Sequence, residues 1–141
     1  MATRDAHAEM LSKVPLFQGL SKKELDSVLR VSKEARFKAG TEIVREGMSG
    51  SGFHMILSGT ATVTQGGREL RKLGPGDSFG DIALIDGGKR SATVTSDEPL
   101  ETLSLVEWEF NPLLLEHPQL AHKMLLELCR RLRDAEARAG V

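Results

Sequence analysis

The chain has 141 residues, which is enough for one domain with a real hydrophobic core, and we predict a single domain over residues 1–141. Its 19 basic and 20 acidic residues nearly cancel, and this balance argues against a nucleic-acid binder. No run of apolar residues approaches the roughly 18 that a membrane span needs, and the first ten residues are too polar for a signal peptide. The single cysteine, Cys129, cannot form an internal disulfide. We therefore expect a cytoplasmic protein.

The N-terminal part of the chain, residues 5–33, predicts helices. Residues 5–13 favour a short helix that ends before Pro15. Ser21 and Glu24 have the spacing of a capping box, in which each side chain bonds the backbone N–H of the other residue. The apolar positions that follow fit one helical face. They are Leu25, Val28, Leu29 and Val31.

From residue 34 to residue 107 the pattern changes to short apolar runs that are separated by glycines. Gly66 and Gly67 between two such runs indicate a hairpin, and the sequence Gly-Pro-Gly-Asp at 74–77 indicates another turn. Seven or eight short strands at this spacing are typical of a barrel or jelly roll. We therefore predict an α+β, mainly β fold: an eight-stranded β jelly-roll barrel with N-terminal helices and a C-terminal helix.

Residues 110–139 predict helices, with a brief piece at 111–116 and a longer helix at 117–139 that has Pro118 in its first turn. An apolar stripe runs along the longer helix. It consists of Ala121, Met124, Leu128, Leu132, Ala135 and Ala139. The stripe can pack on its own barrel, on a second copy, or partly on both. We favour a homodimer contact, because small residues near the end allow two helices to approach closely.

Residues 79–94 carry the clearest sign of function. Gly80 begins a turn into a short apolar helical stretch, whose free backbone N–H groups could receive an anion. Arg90 follows ten residues later, at the start of a β-branched strand, where its guanidinium can close the site. The combination suits a small phosphorylated ligand, and Asp81 is placed to hold a sugar hydroxyl.

This segment resembles the phosphate-binding cassette of cyclic-nucleotide-binding domains, such as those of catabolite-activator regulators and of cAMP-dependent kinase regulatory subunits. Further similarity lies at 14–21, 46–47, 52–59 and 73–80, in the order and spacing of that family. The resemblance implies a cyclic-nucleotide site. Its residues are Phe79, Gly80, Asp81, Ile82, Ala83, Arg90 and Ser91.

By resemblance, Arg90 holds the cyclic phosphate, and backbone N–H groups around Ile82, Ala83 and Ser91 share that role. A guanidinium fork with backbone donors suits a singly charged phosphodiester. The alternative for Arg90 is a surface ion pair with Asp86. The alternative for Ser91 is an ordinary serine at the start of a strand.

Two positions depart from the family pattern. Asp81 stands where relatives carry a glutamate for the ribose 2′-hydroxyl, so its reach is shorter and weakened binding is expected. Its alternative role is to cap the short helix. Ala135 and Glu136 occupy the positions at which related transcription regulators hold the purine amino group. We favour cAMP over cGMP, because no threonine follows Arg90 as it does in many cGMP-selective relatives.

The sequence thus predicts a stand-alone cyclic nucleotide sensor that relays binding through its C-terminal helix to a second copy or to an unknown effector protein. No cofactor and no catalytic activity are expected, and direct DNA binding is not expected because the chain ends at Val141, without room for a recognition helix. The alternative is a structural or interaction domain that kept the barrel and lost the nucleotide.

Other candidate chemistries have little support in the sequence. A metal site of the cupin type would need several histidines in the strand region, and only His54 lies there. Cys129 reads as a packed thiol. The pair Arg130 and Arg131 reads as solvated helix surface.

Overall fold

The computed structural model describes residues 2–50 and 52–140, so Met1, Ser51 and Val141 lie outside the described residues. Helices stand at both ends of the fold and a sheet region lies between them. The helices are α1 (Ala2–Ser12), α2 (Lys22–Arg30), α3 (Asp81–Asp86), α4 (Glu107–Glu116) and α5 (Pro118–Ala139), with a 3-10 turn at Pro15–Phe17. The strands are β1 (Lys33–Phe37), β2 (Glu42–Val44), β3 (Phe53–Ser58), β4 (Ala61–Gln65), β5 (Arg68–Leu73), β6 (Ser78–Phe79), β7 (Thr93–Ser96) and β8 (Leu100–Leu105).

The eight strands form two four-stranded antiparallel sheets. One sheet has the order β1-β8-β3-β6, and the other has the order β2-β7-β4-β5. Each sheet joins strands from distant parts of the chain, as a jelly roll does. The predicted mainly β jelly roll with eight strands and flanking helices is confirmed.

Local sequence signals explain where several elements begin and turn. Ser21 Oγ accepts the Glu24 N–H at 3.2 Å and Glu24 Oε1 accepts the Ser21 N–H at 2.8 Å, so the predicted capping box is present. Gly66 and Gly67 join β4 to β5 with φ angles of 58° and 80°. This left-handed backbone is the one that a tight hairpin requires, which confirms the predicted turn.

Strand β3 lies between two hydrophobic cores and contributes side chains to each, so both of its faces are buried. Phe53 and Met55 belong to the core that the helices cover, whereas Ile56 belongs to the core between the sheets. The alternation follows from the two-residue period of a strand. Phe17 from the 3-10 turn packs edge-on against Phe53, with 5.6 Å between ring centroids, and so fastens the helical layer to the sheet.

The apolar packing of helix α5 on its own domain is confined to its N-terminal half. Leu120 and Met124 are buried in the helical core, and Leu128 packs against that core while remaining partly exposed. Leu132 is exposed, and so are the residues from there to the end of the helix. The predicted stripe therefore divides into a part that contacts its own domain and a part that faces solvent. None of the described helices is both long and apolar enough to cross a membrane.

Three details differ from the sequence-based expectation. Strand β6 was not predicted, because two residues are too few to show a periodic pattern. Helix α4 begins at Glu107, with Pro112 inside it, and not at residue 111. Cys129 is exposed on α5, so the prediction of a packed thiol is wrong.

The two-core arrangement predicts which leucines stabilise the fold. Leu105→Ala, at a fully buried position, should lower the free energy of unfolding by about 2–5 kcal/mol, because it removes buried methyl groups and leaves a cavity. Leu115→Ala is the matched control, since Leu115 is 84% exposed. That change should stay within about 0.5 kcal/mol. Urea unfolding of both variants measures the difference, and equal effects would contradict this assignment of the core.

Candidate functional site

A cavity of about 810 Å³ opens between the segment at 79–92, the sheet that contains β5, and the surface of α5. All seven residues that were predicted for the site line this one cavity. They are Phe79, Gly80, Asp81, Ile82, Ala83, Arg90 and Ser91. Valines and leucines of the facing sheet form its apolar side. They are Val44, Val63, Leu73 and Val94.

The turn at Gly80 presents the start of α3 to the cavity. Gly80 has a φ of 88°, and the N–H of Leu84 donates to its carbonyl at 3.0 Å to close the first helical turn. The N–H groups that precede this bond have no acceptor within the helix. One of them, on Ile82, is taken by Asp81 Oδ1 at 2.9 Å.

Arg90 lies at the floor of the cavity, in the loop that precedes β7 and not on the strand itself. Its backbone is held to the turn at 47–48 by two hydrogen bonds: the Arg90 N–H donates to Met48 O at 3.0 Å and the Gly47 N–H donates to Arg90 O at 2.8 Å. Its side chain is therefore aimed from a fixed backbone.

The Arg90 side chain is buried without a carboxylate partner among the described residues. The residue is 7% exposed, its Nη2 donates to the carbonyl of Gly52, and its Nε is buried with no hydrogen-bond partner in the described part of the chain. Burial lowers the pKa of the guanidinium. The alternative pairing with Asp86 is wrong, because that carboxylate instead accepts the Gly88 N–H at 2.7 Å.

Gly80 leaves the space that the guanidinium occupies. A Cβ at Gly80 would collide with Arg90 Nη1 and with the carbonyl of Gly52. The positive φ of Gly80 is also a conformation that side-chain-bearing residues rarely adopt. The glycine of the motif is thus needed both for the turn and for the close approach of Arg90.

Asp81 is tied to the C-terminal helix by an ion pair that the sequence did not reveal. Its Oδ2 accepts from Arg131 Nη1 at 2.7 Å, and Arg131 Nε donates to Glu127 Oε2 at 3.0 Å. Burial alone disfavours the charge of Arg131, but the hydrogen bonds to the two carboxylates offset this and raise its pKa. Arg131 therefore belongs to the site, and its description as solvated surface is wrong.

His54 lies beneath the cavity on the inward face of β3. Its ring stacks on Phe79 at 5.2 Å between centroids and meets Phe37 edge-on at 5.6 Å, while its Nδ1 is 2.9 Å from Thr102 Oγ1. Burial, and secondarily the charge of Arg90, lower the pKa of His54 to about 4. The imidazole is thus neutral near pH 7.

Other residues that the sequence singled out lie away from the cavity. Ala135 and Glu136 are exposed on α5, and neither lines the cavity of its own chain. Among the described residues, no group of three or more His, Cys, Asp or Glu side chains is arranged to hold a metal ion.

The fold and the cassette are similar to those of known proteins. The pattern of the family described as "Cyclic nucleotide-binding domain" matches residues 34–117, a segment that contains the sheets and most of the cavity lining. This chain belongs to that family.

Individual members of this family show the same relationship. The chain is 35% identical over 127 residues to the cyclic AMP receptor protein of Thermus thermophilus, covering 86% of this chain and 59% of that protein. It is 33% identical over 110 residues to a cGMP-dependent protein kinase of Eimeria tenella, covering 78% of this chain and 11% of the kinase. The chain thus spans only part of these relatives.

A solved structure supports the fold. The N-terminal domain of a transcriptional regulator from Streptomyces coelicolor A3(2) matches with a TM-score of 0.84 over 92% of this chain and 94% of that domain. The identity is 24%, so this likeness concerns the fold alone.

The buried imidazole predicts how stability depends on pH. Unfolded His54 binds a proton near its ordinary pKa of 6.5, whereas the folded form binds one only near 4. The neutral His54 imidazole therefore makes its full contribution to the free energy of unfolding above pH 6.5. This contribution is on the order of 3 kcal/mol, and it is lost as the pH falls from 6.5 toward 4.

Thermal melts between pH 4 and pH 7 measure this dependence. His54→Gln cannot titrate, so its melting temperature should fall less than that of the parent over this range. Parallel pH profiles for the two proteins would contradict the assignment.

Proposed function

We propose that this chain is a cyclic nucleotide sensor, that it prefers cAMP to cGMP, and that it relays binding through α5. The observation that carries the proposal is the Arg90 guanidinium, which is buried at the floor of a cavity and has no acidic partner among residues 2–50 and 52–140. A buried charge is costly unless it is paired. An incoming phosphate supplies the missing negative charge.

The phosphate would lie between Arg90 and the start of α3. A cyclic phosphodiester carries one negative charge and two exocyclic oxygens, which matches the fork of a guanidinium together with nearby backbone N–H groups. Ala83 and Ser91 line the same cavity, and their backbone N–H groups would donate to the phosphate. The apolar side chains of the facing sheet offer the purine a surface on which to pack.

Asp81 would accept the ribose 2′-hydroxyl. A carboxylate has about four lone-pair sites, and the Ile82 N–H and the Arg131 guanidinium occupy two of them. The remaining sites can serve a hydroxyl. Arg131 thus holds the shorter Asp81 in one orientation instead of leaving it free to rotate.

The same ion pair gives the relay a physical path. Asp81 is the first residue of α3, and Arg131 lies in the C-terminal half of α5, immediately before the exposed segment that begins at Leu132. A ligand that contacts Asp81 and Arg90 favours one arrangement of the segment 80–90, and α5 follows through Arg131. The output is a shift in population between two positions of α5, which a second copy or another effector protein would read.

The preference for cAMP has two supports. The residue after Arg90 is Ser91 and not the threonine of many cGMP-selective relatives. In addition, the chain covers 59% of the relative named cyclic AMP receptor protein but only 11% of the relative named cGMP-dependent protein kinase, at similar identities of 35% and 33%.

Calorimetric titration with cAMP and cGMP tests the proposal directly. Arg90→Ala should weaken cAMP binding by about 30-fold or more, because loss of one partner of a buried charge pair costs roughly 2–5 kcal/mol. Arg36→Ala is the matched control, since Arg36 is exposed on β1 and does not line the cavity. It should leave the affinity unchanged. Absence of binding heat with either nucleotide for the parent chain would refute the sensor function.

The side chain at position 81 tests the sugar contact. Asp81→Glu should tighten cAMP binding by about tenfold, since a hydrogen bond to a charged group contributes about 1.5–3 kcal/mol and the longer side chain reaches further. Asp81→Asn should weaken binding. The control ligand is 2′-deoxy-cAMP, which should respond to neither change. If the parent distinguishes cAMP from 2′-deoxy-cAMP no better than Asp81→Asn does, Asp81 does not contact the sugar.

A further inference from the structure

The backbone at 91–93 leads from the cassette into β7 and is held from both sides. Strand β7 lies between β2 and β4, and its pairing with β4 ends at the pair Thr64 and Thr93. One residue beyond this last pair, Gln65 donates from its side-chain Nε2 to the carbonyl of Ser91 at 2.9 Å. A side chain thus continues the contact between the two strands at the point where the backbone ladder stops.

Glu46 holds the hairpin that carries Gln65. Its Oε1 accepts the N–H of Gly66 at 2.9 Å, and its own N–H donates to Thr93 Oγ1 at 2.9 Å. Glu46 follows β2 and Gln65 ends β4, so the two residues flank the start of β7 on opposite sides. Together these residues form a polar clamp around 91–93, which consists of Glu46, Gln65, Gly66 and Thr93.

The clamp fixes the orientation of the Ser91 backbone. The carbonyl of Arg90 accepts the Gly47 N–H at 2.8 Å, and the carbonyl of Ser91 accepts from Gln65. Because a peptide unit is planar and trans, a held carbonyl also fixes the direction of the N–H in the same unit. These two bonds therefore fix the N–H groups of Ser91 and Ala92. In the described part of the chain, neither N–H donates to a backbone carbonyl.

The clamp acts on the cavity from outside it. Ser91 and Ala92 line the cavity, whereas Glu46, Gln65 and Thr93 do not. We propose that Gln65 positions the N–H groups of Ser91 and Ala92 for one exocyclic oxygen of the phosphate, and that Glu46 supports Gln65 by fixing the hairpin. This inference rests on the proposed function, because it assigns donors to the phosphate of the bound nucleotide.

The bond to Glu46 explains how an exposed glutamine can perform this role. A long polar side chain loses rotamer freedom when it is held in one place, and this loss opposes the hydrogen bond that it makes. Because Glu46 fixes the backbone at Gly66, the neighbouring Gln65 begins from a fixed position. Donors that are ordered before the ligand arrives need no further ordering when it binds, so they strengthen binding.

Removal of the Gln65 amide tests the positioning directly. Gln65→Met keeps a similar size and loses the donor, so it should weaken cAMP binding by about three- to tenfold, the equivalent of one net hydrogen bond. Gln18→Met is the matched control, since Gln18 is also exposed and does not line the cavity. Calorimetric titration should show no change of affinity for the control, and both variants should keep the urea midpoint of the parent. Equal affinities of Gln65→Met and the parent would overturn the proposal.

Two phosphorothioate diastereomers of cAMP distinguish positioning from a general loosening of the fold. Each carries sulfur in place of one exocyclic oxygen, and sulfur is the weaker hydrogen-bond acceptor. Gln65→Met should mainly weaken binding of the diastereomer that keeps oxygen opposite Ser91, so the ratio of the two dissociation constants should change by about threefold or more. A loosened fold would weaken both diastereomers equally. An unchanged ratio would therefore rule out positioning by Gln65.

A pair of substitutions tests the support that Glu46 gives. Glu46→Gln and Glu46→Ala remove the same negative charge, which by itself would favour an anion. Only the glutamine keeps a side-chain oxygen that can accept the Gly66 N–H. Glu46→Ala should therefore bind cAMP about threefold more weakly than Glu46→Gln does. Equal affinities of these two variants would remove Glu46 from the proposal.

The sensor function and the role of Gln65 give different patterns when they fail. A parent chain without binding heat for cAMP and cGMP would refute both. A parent chain that binds cAMP, with the same affinity and the same ratio between the diastereomers as Gln65→Met, would refute the role of Gln65 and leave the sensor function in place.

Discussion

The buried guanidinium of Arg90 is the constraint around which the cavity is arranged. A positive charge at this depth requires a fixed acceptor, which the Gly52 carbonyl provides, and a neighbour without a side chain, which Gly80 provides. Two hydrogen bonds to the loop at 47–48 fix the Arg90 backbone, so a backbone shift that carries the side chain toward solvent would break them. Burial of this unpaired charge costs the folded protein free energy, and a bound anion would offset that cost. The Arg90 guanidinium therefore affects both the stability of the fold and the binding of an anion.

A second chain of contacts leads away from this constraint. Asp81 stands at the beginning of α3, Arg131 reaches it from α5, and Glu127 orients Arg131 from one helical turn earlier. Two of these residues come from a helix that is otherwise only half attached to the domain. The exposed C-terminal part of α5 thus begins next to a side chain that contacts the cassette, because Arg131 precedes Leu132 and pairs with Asp81.

Much of this arrangement could be predicted from sequence, because its causes are local. The capping box at Ser21, the glycine hairpin at 66–67 and the glycine turn before α3 each depend on neighbouring residues, and each was found. Arg131 was missed because its partner lies fifty positions away and no periodic pattern connects them. The burial of His54 was missed for a related reason. The sequence around a histidine in a strand does not show whether the face that carries it is buried or exposed to solvent.

Strand β3 has a consequence for the way in which the molecule loses its structure. One face of the strand is covered by the helices and the other by the opposite sheet. Unfolding of either layer would expose apolar side chains of this strand to water, and the other layer would then lose apolar contacts that stabilise it. The two halves thus cannot melt independently. The domain has two cores but is expected to unfold as a single cooperative unit, because β3 contributes side chains to both.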